Sequence, residues 1–64
     1  MKAPFTITAL AYAGKPPDAQ TFESFDEAAA ECDRMNRSED WVAEVRDADG
    51  VTVRDHHAIW KAAQ

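Results

Sequence analysis

Apolar and polar positions alternate along residues 5–13, whose sequence is FTITALAYA. The odd-numbered positions are all apolar and begin with Phe5 and Ile7, whereas the even-numbered positions begin with Thr6 and Thr8. A period of two with β-branched and aromatic residues is typical of a β-strand. The even-numbered face ends in two apolar residues, which makes part of it a candidate for burial as well: Leu10 and Tyr12.

The next segment, residues 14–18, has the sequence GKPPD and interrupts any regular structure, because proline fixes φ and has no backbone N–H. Residues 20–22, QTF, then fit a short second strand that closes a hairpin with the first.

Residues 25–37 have the helical period, and a capping box from Ser24 to Glu27 marks where the helix begins. At about 100° per residue, one arc of this helix is apolar and the opposite arc is polar. The apolar arc consists of Phe25, Ala28, Ala29, Cys32 and Met35. The polar arc consists of Asp26, Glu27, Ala30, Glu31, Asp33, Arg34 and Arg37.

Two further strand candidates, residues 41–46 (WVAEVR) and 51–54 (VTVR), flank a turn. The turn sequence is DADG, in which Gly50 can take the positive φ of a bulged hairpin loop. Asp55 is a candidate N-cap for a short terminal helix over residues 56–63.

These elements predict one small α+β domain over residues 1–64. We expect one main helix packed on a three- or four-stranded, mostly antiparallel sheet, with a short C-terminal helix as an addition. The chain has 64 residues and an apolar fraction of 45%, much of it alanine. Because such a core is thin, a large enclosed substrate cavity is excluded.

A single cysteine excludes an internal disulfide framework, which a chain of this size usually needs in an oxidising compartment. This favours the cytoplasm, and no apolar run approaches the roughly 18 residues of a membrane helix. Residues 2–13 imitate a signal peptide, but the segment is short and Thr6 and Thr8 interrupt it. A strand is therefore the preferred interpretation.

Three side chains suggest metal or nucleophile chemistry: Cys32, His56 and His57. Adjacent histidines diverge by about 100° on a helix, whereas one metal ion needs converging ligands, so we expect no metal and no cofactor. Cys32 lies on the apolar arc, where burial raises the pKa of a thiol and makes it inert. We expect no enzymatic activity, and a hydrolase or metal protein is the least favoured hypothesis.

The net charge of −5 argues against direct nucleic-acid binding and is concentrated in one segment. Residues 18–33 contain six acids and no lysine or arginine, so they carry −6 and the rest of the chain +1. Ion pairs between Glu31 and Arg34 and between Asp33 and Arg37 are expected on the helix. The segment is either a solvated helix face or an anionic surface for a basic partner. The candidate partner-binding residues are Glu23, Asp26, Glu27, Glu31 and Asp33.

The sequence leaves open whether its large aromatic residues are buried in the core or exposed as anchors of an interface, since aromatic residues serve in both ways. They are Tyr12, Phe22, Trp41 and Trp60.

Over its whole length the chain resembles the small acidic anti-CRISPR proteins encoded by phages and mobile elements. The resemblance rests on the strand MKAPFTITALAYAG, the helix SFDEAAAECDRMNRS and the hairpin WVAEVRDADGVTVRD. It implies a non-enzymatic inhibitor in the host cytoplasm that binds a CRISPR effector, with a type I-C system as one expectation. Acidic residues of the polar helix face would then occupy a surface that normally binds DNA or RNA.

The sequence thus supports a binding protein that presents an acidic helix face to the basic, nucleic-acid-binding surface of a partner, such as a subunit of a type I CRISPR effector. The alternative is a small homodimeric or partner-docking structural module with no role connected to nucleic acids. A monomer and a weak homodimer both remain open.

Overall fold

A computed structural model of the protein describes residues 1–11, 14–15, 18–38 and 40–57. These residues form one helix and four strands. The elements are β1 (Phe5–Ala11), β2 (Gln20–Phe22), α1 (Phe25–Arg37), β3 (Trp41–Arg46) and β4 (Thr52–Arg54). The strands form a single antiparallel sheet in the order β2-β1-β3-β4, with α1 packed against one face. The α+β prediction is therefore confirmed, with four strands rather than three.

The strands β1 and β3 are central in the sheet, and each pairs with a shorter strand at the edge. Their register runs from Thr6 opposite Arg46 to Ala11 opposite Trp41. The edge strand β2 pairs with only the first half of β1, from Phe5 opposite Phe22 to Ile7 opposite Gln20.

The core lies between α1 and the inner face of the sheet. It combines the odd-numbered residues of β1, the apolar arc of α1 and alternate residues of β3. The period of two in the strands and of 3.6 residues in the helix predicts this set. The buried members are Phe5, Ile7, Ala28, Cys32, Met35, Ala43 and Val45. Phe25 adds an edge-to-face contact with Phe5, at a centroid distance of 5.8 Å. Trp41 and Phe22 pack against this cluster and are partly buried, so the core interpretation of both is confirmed.

Local hydrogen bonds fix both ends of α1. The Ser24 hydroxyl accepts a hydrogen bond from the Glu27 amide at 3.4 Å, as predicted for the N-cap. At the other end, the Ser38 amide donates to the carbonyls of Arg34 and Met35, both at 3.2 Å. The helix thus has the predicted bounds.

The β3–β4 hairpin closes through Gly50, which has the predicted positive φ of 83°. The carboxylate of Asp47 accepts hydrogen bonds from the Asp49 and Val51 amides at 2.9 and 3.0 Å. A register shift between Val45 and Arg46 places a bulge at the base of the hairpin.

The predicted terminal helix lies outside the described residues beyond His57, and so do Tyr12 and Trp60. The described part includes the start of that segment, where the Asp55 carboxylate accepts a hydrogen bond from the His57 amide at 3.0 Å. In the ranges that the structure describes, α1 is the longest helix and is too short and too polar to cross a membrane.

Candidate functional site

Three of the predicted partner-binding acids form one exposed patch at the N-terminal end of α1. Glu23 precedes the N-cap, and Asp26 and Glu27 lie in the first helical turn. We call these three residues the acidic patch. Within the described part of the chain, none of the three is in an ion pair. Acidic side chains are favourable at such first-turn positions, because the helix dipole is positive at this end.

Glu31 lies one turn farther along α1, and its charge is compensated. The Arg34 guanidinium donates hydrogen bonds to both carboxylate oxygens, with Nε at 3.0 and 3.1 Å, as predicted. These hydrogen bonds hold the pKa of Glu31 below its usual value. Glu31 is therefore ionised at neutral pH, but it adds less to the field of the acidic patch than an unpaired acid would.

Asp33 does not belong to the exposed acidic face. Its exposed fraction is 9%, and it accepts hydrogen bonds from Nε and Nη2 of Arg54 in β4 at 2.8 and 2.6 Å. The prediction that Asp33 lies on the solvated arc and pairs with Arg37 is wrong. The physical reason is that Asp33 lies at the flank of the apolar arc, where the bulged β4 brings a guanidinium within reach. The bidentate pair of Asp33 with Arg54 at the margin of the core is more stable than a solvent-exposed pair of Asp33 with Arg37 along the helix would be.

The sequence pattern did not identify Asn36, whose side chain hydrogen-bonds to the backbone of β3. It is 8% exposed, and its side chain replaces a missing stretch of strand beside β3. Its Oδ1 accepts from the Ala43 amide at 2.7 Å, and its Nδ2 donates to the Ala43 carbonyl at 3.2 Å. Because β4 pairs only with Val45 and Arg46, these two backbone groups need another partner. The sequence does contain a signal for this role, because Asn36 is a polar residue that lies within the apolar arc of the helical wheel, about 40° from Cys32.

Cys32 is fully buried between α1 and β3. Its thiol donates to the Ala43 carbonyl at 3.5 Å and accepts from Nδ2 of Asn36 at the same distance. Burial, followed by the negative charge of Asp33, raises the pKa of Cys32 to about 11. The thiol is therefore protonated at neutral pH, and the expectation of a raised pKa is confirmed.

The outer face of the sheet, on the side opposite α1, contains a groove of about 360 Å³. Its floor consists of two cross-strand pairs, Leu10 opposite Val42 and Thr8 opposite Glu44. One wall is the segment from Asp55 to His57 that follows β4. The sequence makes Leu10 a candidate for burial on this face, but Leu10 is 74% exposed to solvent in the structure.

His56 and His57 form part of this wall, with ring centroids 4.0 Å apart and ring planes tilted by 37°. Cys32 belongs to the core on the other side of the sheet, so the fold does not bring it together with them. Within the described ranges, no group of three or more histidine, cysteine, aspartate or glutamate residues could hold a metal ion.

The arrangement thus offers two surfaces on opposite sides of the sheet, namely the acidic patch on α1 and the outer groove. Both combine accessible side chains with a backbone held by regular structure, which suits recognition of another molecule. Comparison with protein-family models, with curated proteins and with solved structures finds no significant match for this chain.

Proposed function

We propose that this protein is a non-enzymatic binding protein whose acidic patch docks on a basic, nucleic-acid-binding surface of a partner protein. The observation that supports this proposal is the exposure of Glu23, Asp26 and Glu27 at one end of a capped helix, without an ion pair among the described residues. The residue range 18–33 contains no lysine or arginine that would neutralise them.

Electrostatics explains how such a patch would act. Carboxylates grouped in the first turn of a helix and just before its N-cap produce a local negative potential, which accelerates encounter with a surface rich in lysine and arginine. Such a surface normally binds phosphates, so a bound protein acid competes with the nucleic acid for the same cations. Glu31 lies beside the patch as a weaker contributor, because Arg34 compensates its charge.

The resemblance to small acidic anti-CRISPR proteins supplies the first partner to test. It suggests an effector subunit of a type I system, and a type I-C complex in particular, as the owner of the basic surface. In that case the protein would be an inhibitor that prevents DNA or RNA from binding the effector.

A pair of double variants with equal changes of net charge tests the proposal. D26N/E27Q removes two charges from the acidic patch, whereas D40N/D49N removes two exposed charges elsewhere. We expect D26N/E27Q to weaken binding to a purified type I-C effector by about tenfold at low salt and to reduce the salt dependence of binding. The control variant should bind like the unchanged protein. Equal affinities and salt slopes for both variants would contradict the proposal.

The alternative function, a homodimeric or partner-docking structural module, is favoured by a different observation. Leu10 and Val51 are 74% and 57% exposed, and both are large apolar side chains. A second copy that covered either side chain would remove apolar surface from water, which favours association. Sedimentation velocity at high micromolar concentration distinguishes the dimer from a monomer, and a monomer would count against the dimeric form of this alternative.

A further inference from the structure

We infer that the outer groove binds a cationic segment of a partner protein by accepting an arginine or lysine side chain between the Leu10–Val42 pair and the carboxylates of Glu44 and Asp55. This site lies on the side of the sheet opposite α1. The inference goes beyond the acidic patch and does not depend on it.

The floor of the groove provides an apolar contact for the stem of such a side chain. Leu10 and Val42 lie directly opposite each other in the β1–β3 register, so their side chains are neighbours on the outer face. Leu10 is 74% exposed, while Val42 is half-buried. The methylene groups of lysine and arginine pack well on such a pair while their charged ends remain near water.

The charges around the floor select a cation. Glu44 and Asp55 line the groove together with His56 and His57, and in the described part of the chain no lysine or arginine lines it. The Oδ1 atom of Asp55 accepts from the His57 amide at 3.0 Å, so Oδ2 is the Asp55 oxygen that would accept from a partner's cation. Arg46 pairs with Glu44 through a single hydrogen bond at 3.0 Å to Oε1, with both side chains partly exposed. Unlike Arg34, which donates to both carboxylate oxygens of Glu31, Arg46 donates to one oxygen of Glu44, so Oε2 can accept from a cation of a partner.

The size of the groove limits what it can accept. A volume of about 360 Å³ is near the lower end for ligand sites and suits one or two side chains. A purely apolar occupant would cover the remaining carboxylate oxygens of Glu44 and Asp55 without donating a hydrogen bond to them, and an anion would be repelled by their charge. An amphipathic cationic side chain satisfies the apolar floor and the acidic wall together.

A peptide pair that differs only in charge tests this assignment. The probe is acetyl-Gly-Val-Arg-Val-Gly-amide, and its control carries citrulline, a neutral analogue of the same shape, in place of arginine. In titrations of the full chain followed by amide chemical shifts, we expect the arginine peptide to perturb the signals of Leu10, Val42 and Glu44. The citrulline peptide should bind at least about fivefold more weakly.

A matched variant pair locates the cation. E44Q should remove the preference for arginine over citrulline, whereas D26N/E27Q should retain it. Equal binding of the two peptides would overturn the assignment, as would shifts confined to the acidic patch. Shifts of the groove signals that follow protein concentration without peptide would assign the groove to a second copy. A nuclear Overhauser contact between the Leu10 methyl groups and the Trp60 indole in the free protein would instead assign it to this chain itself.

Discussion

The Asp33 carboxylate in α1 and the Arg54 guanidinium in β4 form a bidentate pair, with hydrogen bonds of 2.8 and 2.6 Å. Their side chains are 12% and 29% exposed, so the pair lies at the margin of the core rather than in bulk solvent. The strand β4 has only three residues and is an edge strand. The pair therefore supplies a side-chain connection between this short strand and the helix.

Removing the charge of Asp33 should destabilise the fold. In D33N, the partly buried Arg54 loses its anionic partner, and we expect the free energy of unfolding to fall by about 2 kcal/mol in urea denaturation. The double variant D33L/R54M should lose less than the sum of the single changes, because neither charge is then left without its partner. A loss below about 0.5 kcal/mol in D33N would show that the pair has no structural importance.

Asn36 should be among the most sensitive positions in the chain. N36A removes the acceptor of the Ala43 amide at 2.7 Å and leaves the Ala43 carbonyl with only the weak Cys32 thiol donor at 3.5 Å, and we expect a loss of about 2–4 kcal/mol. Hydrogen exchange at the Ala43 amide should accelerate more than at other β3 amides. The neighbouring Arg37 is exposed, so R37A provides a control that should cost well under 1 kcal/mol. Similar losses in the two variants would contradict the assigned role of Asn36.

The buried thiol of Cys32 predicts a loss of stability at alkaline pH. Because burial raises its pKa from 9.0 to about 11, the folded protein retains a proton that the unfolded chain releases. The contribution is therefore fully present below pH 9 and is lost as the pH rises towards 11, with a maximum of about 3 kcal/mol.

The variant C32A isolates this effect, since it lacks the titrating thiol and keeps every other ionisable group. Its free energy of unfolding should depend less steeply on pH between about 9 and 11 than that of the unchanged protein. Thiol labelling of the native protein near pH 8 should also be slow, because Cys32 is buried and protonated. Parallel pH profiles for the two proteins would disprove the assignment.

Gly50 should tolerate asparagine better than alanine. Its φ of 83° lies in the left-handed region, and a Cβ at this position would meet no heavy atom within 4 Å. Any cost of substitution is therefore conformational, and we expect about 1 kcal/mol for G50A and less for G50N. Thermal unfolding of the two variants measures the difference. An equal loss of stability in both variants would show that the positive φ of Gly50 does not determine the cost of substitution.

Much of the fold could be predicted from local patterns. The period of two in β1 and the capping box at Ser24 gave the first strand and the start of α1, and both agree with the structure. The turn chemistry before Gly50 likewise located the hairpin. These features depend on interactions between residues that are close in the chain, so they can be predicted without knowing how the elements pack.

The acidic face could be predicted only in part. Glu23, Asp26 and Glu27 are exposed as expected, since their positions near the N-terminus of α1 follow from the helix bounds. A helical wheel places Asp33 on the same face, because it gives the direction of a side chain and not what packs at its flank. Its actual partner, Arg54, is 21 positions away in sequence.

The sequence by itself determined the elements, the capped helix and the concentration of negative charge in residues 18–33, because periodicity, capping and charge are properties of adjacent positions. The tertiary structure decided which of those charges remain exposed. It also decided that Asn36 completes the edge of β3 and that Leu10 lies in an open groove. The physical reason is that pairing and burial depend on strand register and on the bulge beside β4, which join residues far apart in the chain.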